Sequence, residues 1–187
     1  MEEKIVSCFF DQSRIKATIA FHGHFCPGLA IGIRAAELAL KELNFTEETP
    51  MVCVTETDMC GVDAIQFLTP CTFGKGNLVH RDYGKAGFTF FDRGREKGFR
   101  ALFQDDVVPD DPGAADPKAA RAAAIMAAPL GDLFKVKPVE LPPVKPARIL
   151  ASMICAHCGE KVMESRIRRY GGENLCIPCF KEVEQKI

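Results

Sequence analysis

Apolar residues recur at helical spacing in several stretches of the chain. The clearest stretch predicts a helix from about Gly28 to Leu43, because its apolar residues lie three to four positions apart: Leu29, Ile33, Ala36, Leu40 and Leu43. The same reasoning predicts an earlier helix from Ser7 to Ile19 and a short one that follows Cys60.

An alanine-rich segment, residues 114–128, predicts a further helix with defined ends. Asp116 can cap its first turn, Pro117 suits the first helical position, and Pro129 ends it.

Strands are predicted between these helices. Residues 51–57 alternate between apolar and polar, and a hairpin is expected from 77–83 to 88–91 with its turn at 84–87. Residues 99–103 predict another strand. Helices mixed with a hairpin, rather than repeated crossovers, indicate an α+β core domain with a mixed or antiparallel sheet and packed helices.

Three prolines interrupt the chain after this region, at positions 142, 143 and 146. Proline disfavours helix and stiffens a linker. We therefore predict a core domain at residues 1–140, a proline-rich linker at 141–149 and a small second domain at 150–187.

Composition narrows the functional classes. No apolar run approaches the roughly 20 residues needed to cross a bilayer, and the N-terminus lacks the basic start and apolar stretch of a signal peptide, which predicts a cytoplasmic protein. The first 140 residues are net acidic and the last 38 nearly neutral, so we expect no nucleic-acid partner.

The second domain carries two Cys-x-x-Cys pairs, and we predict that they bind one structural zinc ion through Cys155, Cys158, Cys176 and Cys179. Seventeen residues separate the pairs, a spacing typical of zinc ribbons. A helical sequence follows Cys179, so a turn-borne first pair and a helix-borne second pair predict a treble-clef finger. His157, inside the first pair, is an alternative ligand.

The core domain contains five further candidate ligands: His22, His24, Cys26, Cys60 and Cys71. Alternating positions in an extended segment would project the first three to one side. Imidazole and thiolate together suit zinc, iron, nickel or copper, so a second metal site is predicted, with His22 and Cys60 as the first candidates. The alternative is that these side chains are dispersed in the core, as we expect for Cys8 and Cys53.

Three motifs carry a family resemblance: the segments 22–28, 60–66 and 71–78. In this order they resemble the FmdE family of formylmethanofuran dehydrogenase subunits, over about residues 10–135. Pro70 stands where the resemblance leads us to expect glycine. The resemblance implies an α+β core, a homodimer and association with molybdenum- or tungsten-dependent one-carbon metabolism, including methanogenesis, in anaerobes. It also implies that the pterin and iron–sulfur centres belong to other subunits.

Three functional hypotheses follow. The first is a metal-binding accessory subunit or homologue of formylmethanofuran dehydrogenase, with its subunits as possible partners. The second is a self-contained metalloenzyme in which Asp63 or Glu56 acts as acid or base. The third is a regulatory protein that binds a protein partner through its finger. A homodimer is also expected because the helix at 28–43 and the alanine-rich helix offer more apolar surface than one small sheet covers.

Overall fold

The computed structural model describes residues 8–46, 48–108, 111, 113–140, 142–145 and 148–184. By its internal contacts the chain separates into two compact units, Met1–Pro146 and Ala147–Ile187. The division falls within the segment predicted as the linker. None of the helices in the described ranges is long and apolar enough to cross a membrane.

The first unit is built on a five-stranded mixed sheet. Its strands, in chain order, are β1 (Met51–Thr55), β2 (Leu78–His80), β3 (Gly87–Asp92), β4 (Lys97–Phe103) and β5 (Phe134–Val139). In space they lie in the order β2-β1-β3-β4-β5. β1 and β2 are parallel and every other pair is antiparallel. The α+β prediction with a mixed sheet is confirmed.

The predicted hairpin between 77–83 and 88–91 is wrong. β2 pairs with β1, with Leu78 opposite Cys53, and β3 pairs with the other edge of β1. The connection between them passes the end of β1, where the amides of Arg81 and Lys85 donate to the carbonyls of Thr55 and Glu56. Because β1 is buried along its whole length, its backbone groups need partners on both edges.

The described part of this unit also holds a 3-10 helix at Asp105–Val107 and five α-helices: α1 (Gln12–His22), α2 (Pro27–Leu43), α3 (Gly61–Leu68), α4 (Pro117–Ala127) and α5 (Leu130–Leu133). α2 matches its predicted range within one residue, and α4 begins as predicted, with Asp116 accepting from two backbone amides. The first helix begins later than predicted, because Asp11 caps it; Ser7 lies outside the described residues.

α2 forms the centre of the apolar core. Twelve of its residues are buried, among them Leu29, Ile33 and Ala36. It packs against α3, α4, β3 and β4 of the same chain. The apolar face of α2 is therefore covered within the same chain, which weakens the argument from apolar surface; the homodimer itself stays a prediction.

The second unit is a small finger of two hairpins and a helix. β6 (Ser152–Ile154) pairs with β7 (Lys161–Met163), and β8 (Ile167–Tyr170) pairs with β9 (Glu173–Cys176). α6 (Ile177–Val183) follows directly. The first cysteine pair lies in the turn between β6 and β7, and the second at the start of α6, in the predicted order.

Candidate metal centres

The four finger cysteines converge on one point. Their sulfur atoms all lie within 4.8 Å of one another, and the Sγ atoms of Cys158 and Cys176 are 3.9 Å apart. Cys155, Cys176 and Cys179 are buried, whereas Cys158 is exposed. Four sulfurs at this separation can be the corners of a tetrahedron around one zinc ion.

Backbone amides donate hydrogen bonds to two of these sulfurs. The amide of Cys176 donates to the sulfur of Cys155 at 3.3 Å, and the amide of Cys179 donates to that of Cys176 at 3.5 Å. The first of these bonds, with the amide of Cys158, lowers the pKa of Cys155 to about 6. The pKa of Cys179 is raised instead, mainly by its hydrogen bond with the neighbouring Cys176 sulfur. Thiolates this close repel one another unless a cation binds between them.

His157 lies at the edge of this centre. Its side chain is more than half exposed, and its Nδ1 atom lies 3.8 Å from a carboxylate oxygen of Glu182. Cys179 is close enough to share a cation with these two residues. Because four cysteines already complete a tetrahedral set, His157 is not required as a ligand.

A second convergence lies in the first unit, where His22, His24, Cys26 and Cys60 each offer a ligand atom within 4.8 Å of the others. The structure thus brings together four of the five core candidates. His22 and Cys60, the two ranked first, lie well within reach of a single ion.

Close packing of two helices at glycine residues explains why Cys26 and Cys60 lie close together. A Cβ atom on Gly32 of α2 would lie 2.2 Å from the carbonyl oxygen of Gly61 in α3, and one on Gly61 would lie 2.8 Å from that of Gly28. The two helices can therefore approach only because these positions lack side chains. Cys26 and Cys60 occupy the N-cap positions of α2 and α3, so the close approach places them side by side.

The two histidines meet through a different local feature. His22 is the last residue of α1, not part of an extended segment as predicted, and Gly23 ends the helix in the left-handed conformation at φ 98°. This reversal places the ring of His24 4.6 Å, centroid to centroid, from that of His22. Glycine is favoured at Gly23 because other residues adopt this conformation at a cost.

Asp63 fixes the orientation of the His22 ring. Its Oδ2 atom lies 2.7 Å from Nδ1 of His22. The other ring nitrogen, Nε2, is buried and has no hydrogen-bond partner among the described residues. An imidazole with one nitrogen on a carboxylate and the other buried and unpartnered has the arrangement of metal-ligating histidines, in which the carboxylate fixes the tautomer. These residues therefore fit a metal ion.

Comparison with known proteins accords with this arrangement. Residues 21–135, more than half of the chain, match the family described as FmdE, molybdenum formylmethanofuran dehydrogenase operon. The chain belongs to the FmdE family. Residues 148–185 match the prokaryotic dksA/traR C4-type zinc finger. This is a metal-binding FmdE-type protein with a C-terminal structural zinc finger.

The proteins similar to this FmdE-family chain include one of known structure and one curated relative. The crystal structure of a tungsten formylmethanofuran dehydrogenase FmdE-like protein from Syntrophus aciditrophicus has a TM-score of 0.68 and 25% identity, with 92% of each chain covered. A probable S-adenosyl-L-methionine-binding protein from Archaeoglobus fulgidus is 28% identical over 85% of this chain. The chain spans about half the length of that relative.

Cys71, the fifth core candidate, lies outside the group of four in the FmdE unit. It is fully buried in the apolar core, and burial raises the pKa of its thiol to about 12. Cys53, expected as a core residue, is also fully buried, and burial raises its pKa well above the usual value. Cys71 thus takes the packing role that was the alternative for all five.

Glu56 is unsuited to the acid or base role suggested for it. Its two carboxylate oxygens accept from Nε and an Nη atom of Arg100 at 2.6 and 2.8 Å. The Arg100 guanidinium lowers the pKa of Glu56. A carboxylate held in a bidentate ion pair stays ionised and ties the end of β1 to β4.

Sequence reasoning missed a cleft next to the four candidate ligands. It encloses about 220 Å³ where β1 and β2 end and α3 begins, and Asp63 lines it together with Thr55, Asp58 and His80. The carboxyl ends of parallel strands are a frequent place for ligands. The signal that could have found the cleft was the parallel pairing of β1 and β2, which the hairpin prediction excluded.

Proposed function

We propose that the FmdE unit binds a transition metal, with zinc as first choice, through His22, His24, Cys26 and Cys60. The observation that carries the proposal is the buried, unpartnered Nε2 atom of His22 beside two cysteines, with Asp63 on the opposite side of the ring. Two thiolates and two imidazoles are a ligand set that zinc favours.

The wider role proposed is that of an accessory protein in formylmethanofuran dehydrogenase-type one-carbon metabolism. It is supported by membership of the FmdE family and by similarity to the tungsten formylmethanofuran dehydrogenase FmdE-like protein of Syntrophus aciditrophicus. In this role the chain supplies a metal centre of its own, and molybdenum- or tungsten-dependent redox chemistry takes place on partner subunits.

The coordination number separates this accessory role from a self-contained metalloenzyme. With all four residues bound, a tetrahedral ion is closed to substrate. His24 is exposed, whereas His22 is fixed by Asp63. Loss of His24 from the metal would open one position for water or substrate, and Asp63, which contacts His22, is the remaining acid or base candidate.

Elemental analysis of the full-length protein and of two variants tests the metal proposal. We expect two zinc equivalents in the wild type, one in Cys60→Ser and one in Cys176→Ser. X-ray absorption of Cys176→Ser then reports the ligands of the core ion alone. A wild-type content of one equivalent, unchanged in Cys60→Ser, would overturn the core centre.

Affinity purification from the source organism tests the metabolic role. We expect the tagged chain to retain formylmethanofuran dehydrogenase subunits, and the retention to fall in a variant without the core metal. Purification without those subunits, together with unchanged dehydrogenase activity in a deletion strain, would contradict the accessory role and leave the metal centre untouched.

S-adenosylmethionine binding is a second candidate function, supported by similarity over most of this chain to the probable S-adenosyl-L-methionine-binding protein of Archaeoglobus fulgidus. Because this chain corresponds to about half of that relative, we rank it below the first proposal. Equilibrium dialysis of the full chain against labelled S-adenosylmethionine tests it directly; absence of binding at millimolar concentration would remove it.

A further inference from the structure

The cleft beside Asp63 contains a buried hydroxyl that has no partner. Thr55 is fully buried at the end of β1, and its Oγ1 atom makes no hydrogen bond to any described residue. Leaving a buried polar group unpaired costs about 1–3 kcal/mol. Because Thr55 also lines the cleft, a molecule in the cleft can supply the missing partner.

The charge of the cleft selects the kind of molecule. Two carboxylates, Asp58 and Asp63, are among its lining residues, with His80 as the third titratable group and no lysine or arginine in the described lining. Arg100 is ion-paired with Glu56, the residue that follows Thr55, and is not among the lining residues. The cleft therefore presents net negative charge to its contents.

A metal in the neighbouring centre leaves this charge in place. A divalent ion bound by two thiolates and two neutral imidazoles forms a site without net charge. Asp63 uses one oxygen, Oδ2, to fix His22. Its second oxygen remains available to the cleft.

An aromatic ring completes the lining. Phe73 borders the cleft and is 73% exposed, so its ring is accessible to a bound molecule. The face of a phenyl ring attracts cations, and substituted ammonium groups are bound in this way between aromatic and acidic side chains. A volume of about 220 Å³ lies below the roughly 300–1,000 Å³ of sites for drug-sized ligands, so the occupant is small.

The geometry points to this cleft as a binding site for a small organic cation of the ammonium type. The cation lies between the carboxylates of Asp58 and Asp63 and the ring of Phe73, and a hydrogen-bonding group of the ligand meets Thr55 Oγ1. That this ligand is the substrate of the adjacent centre rests on the proposed metal function. Binding itself requires only the cleft.

Calorimetric titration of the full-length, zinc-loaded protein tests the inference with a matched pair of probes. Choline carries an ammonium group and a hydroxyl, and 3,3-dimethylbutan-1-ol has the same shape without the charge. We expect choline to bind and the alcohol to bind at least tenfold more weakly. Equal affinities for the two probes, or no choline binding at millimolar concentration, would overturn the proposal.

Two variants connect the binding to named residues. Asp58→Asn removes one carboxylate outside the metal centre and is expected to weaken choline about fivefold, whereas Asp106→Asn, at an exposed position outside the cleft lining, should leave the affinity unchanged. Thr55→Val removes the unpaired hydroxyl; it should weaken choline about threefold or more while raising the melting temperature. Unchanged choline affinity in both cleft variants would show that choline binds elsewhere.

Zinc content measured on the same samples keeps this proposal separate from the metal proposal. Choline binding by protein that holds one zinc equivalent would support the cleft and contradict the core metal. Two zinc equivalents without choline binding would contradict the cleft and leave the core metal in place.

Discussion

The finger and the core centre gather the same number of ligands in opposite ways. In the finger, three of the four cysteines belong to the small cluster of buried residues, with Leu175 as the remaining member. In the FmdE unit, the four ligands are intermediate or exposed and lie at the edge of a core of thirty buried residues. The cysteines therefore make up most of the buried cluster of the finger. The four candidate ligands of the FmdE unit are instead positioned by a much larger apolar core.

This difference predicts opposite relations between metal and folding. About forty residues bury too little apolar surface to fold unaided, so the binding energy of zinc becomes the folding energy of the finger. The ligands of the core centre are positioned by helix packing that needs no metal, namely the contact of Gly32 with Gly61 and the helix end at Gly23. A preformed site of this kind suits reversible binding and chemistry.

The largest effect is expected from Cys176→Ser. Loss of one thiolate removes most of the zinc affinity, which is about 10 kcal/mol or more for structural fingers, so residues 148–184 should unfold while the FmdE unit stays folded. Hydrogen exchange followed by mass spectrometry measures both units at once. Ser165→Ala, at an exposed finger position, is the control. Retained protection of the finger in Cys176→Ser would contradict the dependence of its folding on zinc.

The next effect concerns the scaffold of the core centre. Gly32→Ala would place a methyl group 2.2 Å from a backbone oxygen of α3, and we expect a loss of about 3 kcal/mol in the free energy of unfolding. Metal affinity of the core centre should fall as well, because Cys26 and Cys60 move apart. Gly131→Ala is the matched control, since its Cβ meets nothing within 4 Å. Similar denaturant midpoints for the two variants would contradict the packing argument.

Removing the support of His22 should have a smaller effect. Asp63→Ala is expected to weaken core metal binding about 10- to 100-fold, with Asp63→Asn intermediate, because the ring loses the partner that fixes its tautomer. Competition with a chromophoric chelator measures the affinity. Asp58→Asn, which changes a carboxylate of the cleft without touching His22, should leave it unchanged. Equal affinities in all three variants would show that Asp63 does not position the ligand.

The parts of the fold that were predicted from sequence are those set by local interactions. α2 and α4 follow from the spacing of apolar residues and from Asp116 and Pro117 at the start of α4. The pairing of Leu78 with Cys53 was not predicted, because strand pairing joins residues far apart in the chain and no short-range pattern specifies it. The β3–β4 hairpin was not predicted either, because its turn places Glu96, and not glycine or asparagine, at positive φ.

The candidate sites divide in the same way. The four ligands of the finger were predictable because the spacing of both cysteine pairs is visible in the sequence. In the core, the motifs supplied the residue types but not the distances, so Cys60 was ranked above Cys71 but both stayed candidates: each stands among glycines and polar residues. The contact between Asp63 and His22 joins residues 41 positions apart, and only the packing of α1 against α3 creates it.

The smallest expected effect tests that distinction between the two cysteines. Cys71 is fully buried and Cys60 is part-exposed beside Cys26, so Cys71→Ala and Cys60→Ala make the same chemical change in different surroundings. We expect Cys71→Ala to keep both zinc equivalents and to lose about 1 kcal/mol of stability through the small cavity it leaves. Cys60→Ala should lose one zinc equivalent.

Thiol reactivity gives the same pair a second measurement. Because burial raises the pKa of Cys71 to about 12, its reactive thiolate is scarce at neutral pH, and the folded protein should resist alkylation there even after the metal is removed. The pKa of Cys60 is also raised, mainly by desolvation, but its side chain is part-exposed; we therefore expect Cys60 to be alkylated faster than Cys71 once the core metal is chelated. Two results would contradict this prediction: loss of zinc in Cys71→Ala, or equal alkylation of the two cysteines in the folded metal-free protein. Either would mean that a buried core cysteine belongs to the core centre, as buried cysteines do in the finger, and the contrast between the two centres would fail.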